Sequence, residues 1–318
     1  EPVIEKHPQH REARLLLARA EREAGNHDAA LAHLSAVPQE EGKTDLSLLQ
    51  QRAQILLEAG QLEKADAASE ELYQLQPGSP SVLYLRGRVL VRREKYAEAA
   101  NLLQNLLTSV DRPWPRARLD LARALRASGN RQQAITTYKQ VVDDATQSAQ
   151  MSPRGRNELQ EIHYQASLAL AQELVEDAPQ LAVNHAKAAF RAFPQRKEAY
   201  EIVQDAMRKN GAAEDEIDDL TLVHALGFVR AGNLEKAKQV CEQAIHKAET
   251  EDKAARFKMF RAQVLEFSGA YTEAAAAYEE LKGQLPDYAA SYRLASLHLR
   301  LGHNEQALNT YKELFKED

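Results

Sequence analysis

The sequence predicts an all-α fold, a solenoid of paired antiparallel helices stacked in series. Two observations support this prediction. The chain is rich in Ala, Leu, Glu, Gln, Arg and Lys, which are good helix formers, whereas aromatic residues make up only 6%. In addition, a glycine followed five residues later by an alanine recurs along the chain. A helix breaker repeated in this way predicts helix-turn-helix units rather than a single globular core.

Most predicted units place small residues on both sides of a helix-ending glycine, so that two helices can approach closely; Leu170 is the exception at the first small position. A small residue, such as Ala18 or Gly87, precedes the glycine position by seven residues. A larger side chain, such as Leu103 or Tyr278, follows the later alanine by four residues and is expected to fill the adjoining space. The later alanines, two of them without the glycine, are Ala30, Ala65, Ala99, Ala134, Ala182, Ala237, Ala274 and Ala307.

These features together resemble the tetratricopeptide repeat, whose period is about 34 residues. Successive alanines are separated by 35, 34 and 35 residues, and then by 48, 55, 37 and 33 residues. The resemblance covers nearly the whole chain. It implies a right-handed α-solenoid of about eight repeats, with an insert and an extra helix in the middle.

The two long steps suggest how the chain is organised. Residues 1–144 are expected to form an N-terminal array of four regular repeats, and residues 218–318 a C-terminal array of three. Residues 145–158 contain Ser, Pro, Gly and Arg and predict a loop insert. Residues 159–217 predict an irregular repeat plus an extra helix, about Lys197 to Asn210. These irregularities either bend the solenoid midway or are neutral insertions.

No motif of a catalytic, cofactor or metal site occurs in the chain. There is no phosphate loop, GxGxxG, HExxH, GxSxG or paired CxxC. The single cysteine, Cys241, and His224 fall at helix-packing positions and are predicted to be core side chains. Carboxylates lie beside Lys or Arg on predicted helix surfaces. We therefore expect no enzyme activity, no cofactor and no bound metal.

Charge and hydropathy narrow the choice of partner. The net charge of -6 argues against nucleic-acid binding, and no run of eighteen apolar residues predicts a membrane span. The chain begins at Glu1 without signal-peptide character, so we expect a fragment of a longer bacterial protein. The compartment and the oligomeric state stay open, with the periplasm favoured over the cytoplasm by family analogy alone.

The resemblance implies that a partner binds on the concave surface, which the first helix of each repeat forms. Helical phase counted from the glycine places two sets of side chains there. The first, here called the basic groove, consists of Arg19, Arg22, Gln50, Gln54, Tyr84, Arg88, Arg92, Arg116, Arg123 and Arg126. The second, the apolar groove, consists of Leu222, Val223, Leu226, Val229, Met259, Phe260, Phe267 and Tyr292.

The two grooves predict different ligands. Arginine forks favour carboxylates, so an acidic segment suits the basic groove. The apolar groove suits an amphipathic helix or a hydrophobic strip. Two alternatives stand beside these predictions: the arginines pair with Glu23, Glu58 and Asp120, and the apolar residues are buried by neighbouring repeats.

One binding mode of the family does not carry over. Some tetratricopeptide proteins capture the acidic C-terminal tails of heat-shock chaperones with a clamp of lysine, asparagine and arginine. At the matching positions this chain has Leu15 with Arg19, then Gln51, then Ser81 with Leu85. The clamp residues are missing, so this chaperone role is not expected.

The leading functional prediction is a scaffold or adaptor that binds a partner protein or peptide in its groove. Family analogy suggests envelope assembly, secretion or exopolysaccharide export as the process. The alternative is a regulatory or substrate-recruiting region of a larger enzyme whose catalytic domain lies outside this chain.

Overall fold

The computed structural model describes residues 10–38, 44–151, 155–282, 284 and 288–314. Within these ranges every regular element is a helix, seventeen in all. They are α1 Arg11–Glu23, α2 His27–Ser35, α3 Leu46–Glu58, α4 Leu62–Leu75, α5 Pro80–Arg92, α6 Tyr96–Thr108, α7 Pro115–Ala127, α8 Arg131–Met151, α9 Arg156–Leu174, α10 Pro179–Ala192, α11 Lys197–Lys209, α12 Glu214–Arg230, α13 Leu234–Lys247, α14 Glu251–Ser268, α15 Tyr271–Glu280, α16 Ala289–Arg300 and α17 Asn304–Leu314.

Sixteen of the described helices form eight consecutive pairs, and α11 stands between the fifth and sixth pairs. Each pair corresponds to one predicted repeat, with its short connection at the glycine position. The all-α fold and the extra helix in the middle of the chain are therefore confirmed.

Short-range signals set where helices begin and end. Asp45 caps α3 by accepting hydrogen bonds from the Ser47 and Leu48 amides, each at 3.1 Å. Proline opens α5, α7 and α10, where its missing N–H costs nothing. The six glycines that precede a later alanine by five residues all have positive φ, a conformation that ends a helix; they are Gly25, Gly60, Gly129, Gly232, Gly269 and Gly302. In the third pair Glu94 takes the place of the glycine, with a φ of 60°.

The core lies where the two helices of each pair cross. All eight of the later alanines are fully buried, at 0% exposure, which confirms their predicted role. Leu103 and Tyr278 are buried beside them. At the α5–α6 crossing the helices approach closely, because a β-carbon on Gly87 would lie 2.7 Å from Cδ2 of Leu103.

The loop predicted over residues 145–158 is corrected by the structure. Helix α8 continues to Met151, and α9 begins at Arg156; residues 152–154 lie outside the described ranges. Val141 and Ala145 are both buried, so the apolar face of α8 continues past the expected end of the repeat. The extra residues of this step therefore lengthen two helices.

The chain divides into two compact units, Glu1–Ala166 and Ser167–Asp318, and the boundary falls within α9. The arrays expected over residues 1–144 and 218–318 stay a prediction. The two units are described separately below.

Candidate partner-binding site

In the first unit, the predicted basic-groove residues lie where successive first helices meet. The Tyr84 hydroxyl on α5 donates to Oδ2 of Asp120 on α7 at 3.2 Å. Nη2 of Arg123 on α7 donates to Oε1 of Gln165 on α9 at 2.6 Å. The first helices therefore share one face, on which these side chains meet.

Several of these arginines have carboxylate partners, which supports the alternative that they pair with their neighbours. Their nitrogen–oxygen distances are 2.9 Å for Arg19–Glu23, 3.8 Å for Arg22–Glu58, 2.7 Å for Arg116–Glu158 and 3.5 Å for Arg123–Asp120. In addition, the Gln54 amide donates to Glu58 at 3.1 Å. Exposed pairs of this kind contribute only about 0–1 kcal/mol each, so an acidic ligand can compete with them.

The most enclosed part of this face is centred on a single carboxylate. We call Tyr84, Arg88, Arg116, Asp120 and Arg123 the Asp120 cluster. The Asp120 side chain is only 17% exposed. Burial raises the pKa of its carboxyl group, and the arginines and the Tyr84 hydrogen bond oppose that rise. Burial also raises the pKa of Tyr84. Within the cluster, Arg123 lies 3.5 Å from the Asp120 carboxylate, and the positive charges of Arg88 and Arg116 also act to lower its pKa.

Two further side chains complete the surroundings of this cluster. The Trp114 ring packs on Tyr84, with ring centroids 5.0 Å apart, and the Arg88 guanidinium carbon lies 5.7 Å from the Tyr84 centroid. Arg92, one turn beyond Arg88 on α5, is exposed. Trp114 was not among the predicted groove residues, although it is the single tryptophan of the chain and stands at the start of a first helix.

In the second unit, the residues predicted to form the apolar groove differ in their exposure, and two of them are buried. Phe267 and Tyr292 are 55% and 62% exposed, and Val223 is also exposed. Met259 and Phe260 were predicted on this surface but are core residues, 7% and 6% exposed. The remaining members, Leu222, Leu226 and Val229, are half-buried.

The burial of those two residues has a clear cause. Met259 packs with Tyr278 and Leu294, whereas Phe260 packs with Cys241 and Val264. Because α14 has neighbouring helices before and after it in the chain, it buries more than one face. Both residues are therefore unavailable to a ligand.

A cavity of about 560 Å³, which the sequence analysis did not predict, lies between α11, α12, α13 and α14. The rings of Tyr200 and His224 stack in its wall with centroids 4.2 Å apart. The Tyr200 hydroxyl lies 2.9 Å from the Thr221 hydroxyl. Burial lowers the pKa of His224 and raises that of Tyr200.

The single cysteine is a core residue. Cys241 is fully buried, and burial raises the pKa of its thiol to about 12, which confirms its predicted place in the core. In the part of the chain that the structure describes, no group of three or more His, Cys, Asp or Glu side chains is arranged to hold a metal ion. None of the described helices has the length and apolarity needed to cross a membrane.

Comparison with known proteins identifies the repeats. Sequence models of the tetratricopeptide repeat match residues 51–118, 84–149 and 222–289 with one model, residues 1–53 with a second and residues 289–318 with a third. No curated protein matches the chain at a significant level.

Solved structures that resemble the chain include tetratricopeptide proteins. MamA from Desulfovibrio magneticus RS-1 has a TM-score of 0.48 and 18% identity, over 58% of this chain and 96% of that one. A tetratricopeptide protein from Thermus thermophilus has a TM-score of 0.43 and 16% identity, over 62% and 99%. YrrB, described as a tetratricopeptide protein with an unusual peptide-binding site, has a TM-score of 0.40 and 18% identity, over 67% and 92%.

The first of the three sequence models alone spans more than half of the chain, and its matches lie in both compact units. The helix pairs, the buried crossing alanines and the positive-φ glycines are consistent with this repeat. The chain therefore belongs to the tetratricopeptide repeat family, whose helix pairs build protein-interaction scaffolds.

Proposed function

We propose that this scaffold binds a partner protein through an acidic, extended segment that docks on the first helices of its N-terminal unit. The observation behind the proposal is the Asp120 cluster, where Arg123 lies 3.5 Å from the Asp120 carboxylate and the charges of Arg88 and Arg116 also act on it. An added carboxylate would meet guanidinium groups that are already held in place by their contacts.

The balance of charge at the cluster favours an anionic ligand. Arg116 is paired with Glu158, and Arg123 shares Asp120 with Arg88. Two carboxylates thus face three arginines, and the exposed Arg92 adds a further positive charge on α5. Trp114 and Tyr84 offer an aromatic surface beside these cations, on which apolar parts of the segment can pack.

The finer assignment concerns the biological process. Envelope assembly, secretion or exopolysaccharide export in a bacterium is our proposal by family analogy, and periplasmic placement would accompany it. The second candidate, recruitment of a substrate to a catalytic domain elsewhere in a longer protein, makes the same use of the groove. The full-length gene separates the two, because it would encode either an export or anchoring segment or a catalytic domain.

A charge-reversal experiment tests the groove itself. The test variant carries Arg88→Glu, Arg92→Glu and Arg123→Glu. The matched control carries Lys64→Glu, Lys95→Glu and Lys139→Glu, which change the net charge by the same amount at three exposed lysines on, or just before, second helices. Binding of a fluorescein-labelled peptide, Glu-Asp-Glu-Ser-Asp-Glu, to the full chain is followed by anisotropy. We expect the arginine variant to bind at least about tenfold more weakly and the lysine variant to bind like the wild type.

The result that overturns the proposal is equal weakening in both variants, which indicates non-specific attraction, or no weakening in the arginine variant. Salt provides a second measurement. Binding at the cluster should weaken as the salt concentration rises from about 50 to 300 mM, because exposed charges are screened over about a Debye length. Crosslinking in the native host followed by mass spectrometry would then name the partner.

A further inference from the structure

We infer that the cavity between α11 and α13 is a second peptide-binding site, separate from the basic groove, and that it takes an extended segment of about five residues with acidic residues at both ends. This inference goes beyond the proposed function, because the cavity lies in the other compact unit. It also lies beside a second helix rather than along the first helices alone.

The two walls of the cavity repeat one arrangement of side chains. On α11 the lining residues are Lys197, Tyr200, Glu201, Gln204 and Arg208, and on α13 they include Lys236, Gln239, Val240, Gln243 and Lys247. Both sets have the spacing 0, 3, 4, 7 and 11, which places each set on one face of its helix. Each wall therefore has a cation at either end and a glutamine in the middle.

Helix α12 supplies the floor, and its polar residues there are buried. Thr221 and His224 are 3% and 6% exposed, and Phe228 lies one turn further along the same face. The apolar-groove residues Leu222, Leu226 and Val229 are on another face of α12 and do not line the cavity. The cavity is thus distinct from the surface predicted for ligand binding in this unit.

The cations of the cavity are only partly neutralised. Lys197 pairs with Glu201 at 3.2 Å, Lys253 with Asp218 at 3.0 Å, and Arg208 with Glu214, outside the lining, at 3.3 Å. The lining contains five Lys or Arg side chains and two carboxylates. Among the described residues, neither Lys236 nor Lys247 has a carboxylate partner, and Lys236 Nζ lies 5.9 Å from the centroid of the Phe228 ring.

These two lysines set the length of the ligand. Lys236 and Lys247 are eleven positions apart on α13, which corresponds to about 16 Å along a helix. An extended peptide covers that distance with about five residues. The cavity volume of about 560 Å³ lies within the usual range for a ligand site. The glutamines face the middle of such a segment, where their amides can both donate to and accept from a peptide backbone.

The structure also shows what holds the α11 wall in position. A β-carbon on Gly227 would lie 2.8 Å from the backbone nitrogen of Gln195, so α12 and the start of α11 approach closely at this glycine. A ring nitrogen of His224 lies 2.5 Å from the Pro194 carbonyl oxygen. These contacts fix the wall before any ligand arrives, which lowers the cost of binding.

The test uses the full chain and a defined probe. A fluorescein-labelled peptide, Glu-Asp-Ser-Ala-Ser-Asp-Glu, is titrated against the variant Lys236→Glu and Lys247→Glu. The matched control is Arg191→Glu and Lys312→Glu, two exposed cations of the same unit that do not line the cavity. Both are also made with Arg88→Glu, Arg92→Glu and Arg123→Glu, which removes binding at the basic groove. We expect about a tenfold loss of affinity from the cavity variant in the background without the basic groove, and little change from the control in that background.

Each other outcome overturns the inference. If binding disappears with the three arginine changes alone, the peptide binds only at the basic groove, and the proposed function stands without a second site. If the cavity and control variants weaken binding equally, the attraction is non-specific. If the neutral peptide Gln-Asn-Ser-Ala-Ser-Asn-Gln binds as tightly as the acidic one, the end cations do not select the ligand.

Discussion

The Leu103 side chain occupies the space that a β-carbon on Gly87 would need, with Cδ2 only 2.7 Å from the position of that carbon. Six other repeats place alanine at the equivalent position, among them Ala53 and Ala122, both fully buried. The α5–α6 pair therefore approaches more closely than an alanine would allow, and the large side chain of its partner fills the gap.

We predict that the effect of Gly87→Ala on the free energy of unfolding changes sign when the residue opposite, Leu103, is replaced by alanine. In the wild type, overpacking costs about 1–3 kcal/mol and outweighs the gain of about 1 kcal/mol in helix propensity, so stability falls. In a Leu103→Ala background the added methyl enters vacated space, and the same change should stabilise by about 1 kcal/mol. Urea denaturation of the four proteins measures this. Equal effects in both backgrounds would contradict the contact.

Glu94 provides a second prediction, since it holds a φ of 60° where other repeats have glycine. The left-handed conformation costs a residue with a side chain about 1–2 kcal/mol, and glycine avoids this cost. Glycine also has more conformational freedom in the unfolded chain, which offsets part of the stabilisation. Glu94→Gly should therefore raise the free energy of unfolding by about 0.5–1 kcal/mol. The control is Glu98→Gly, an exposed helical site, which should lower it by about 1 kcal/mol. A destabilised Glu94→Gly protein would show that this conformation carries no strain.

A buried arginine gives the third prediction. Arg86 is 7% exposed and bonds to Asp66, to Glu70 at 2.7 Å and to the Ser69 hydroxyl at 3.1 Å, all on α4. Arg86→Ala leaves these acceptors partly buried without their cation and should cost about 3 kcal/mol. Arg93→Ala removes a more exposed partner of Asp66 and should cost about 1 kcal/mol or less. Equal thermal shifts for the two variants would refute this difference.

The fourth prediction concerns pH. Burial lowers the pKa of His224, so the unfolded chain takes up a proton at this residue before the folded chain does. Stability should therefore fall as the pH drops below about 6.5, by up to about 1.4 kcal/mol per pH unit for one histidine. Burial lowers the pKa of His163 in the same direction. Urea midpoints from about pH 7.5 to 5.5 should fall less steeply for His163→Gln with His224→Gln. An unchanged slope would rule out both residues as its source.

The repeats were predictable because their determinants are local. A glycine that ends a helix and an alanine that lets two helices cross act within about twelve residues, as Gly129 and Ala134 show. The length of α8 was less predictable, because the Ser, Pro and Gly residues of the insert masked an apolar face that continues through Ala145.

The candidate site was predictable only in outline. Helical phase placed Tyr84 and Arg123 on one face, where the structure also has them. It did not identify their hydrogen-bond partners, Asp120 for Tyr84 and Gln165 for Arg123, because each partner lies on the next first helix and phase gives no distances between helices. Phase also failed for Met259, because it cannot tell how many faces of α14 are covered. The cavity depends on where α11 lies against Gly227, and no local pattern specifies that contact.

The ion pairs along the first helices have a consequence for selectivity. Three of the arginines already form ion pairs with glutamates of the protein: Arg19 with Glu23, Arg22 with Glu58 and Arg116 with Glu158. An anionic ligand would have to compete with these glutamates for the arginines. A segment with one carboxylate only exchanges one weak pair for another and gains little. A segment with several carboxylates can replace several of these glutamates, while the entropy of association is lost only once for the whole segment. Under the proposed function, the face would therefore respond to the density of negative charge rather than to a single acidic residue.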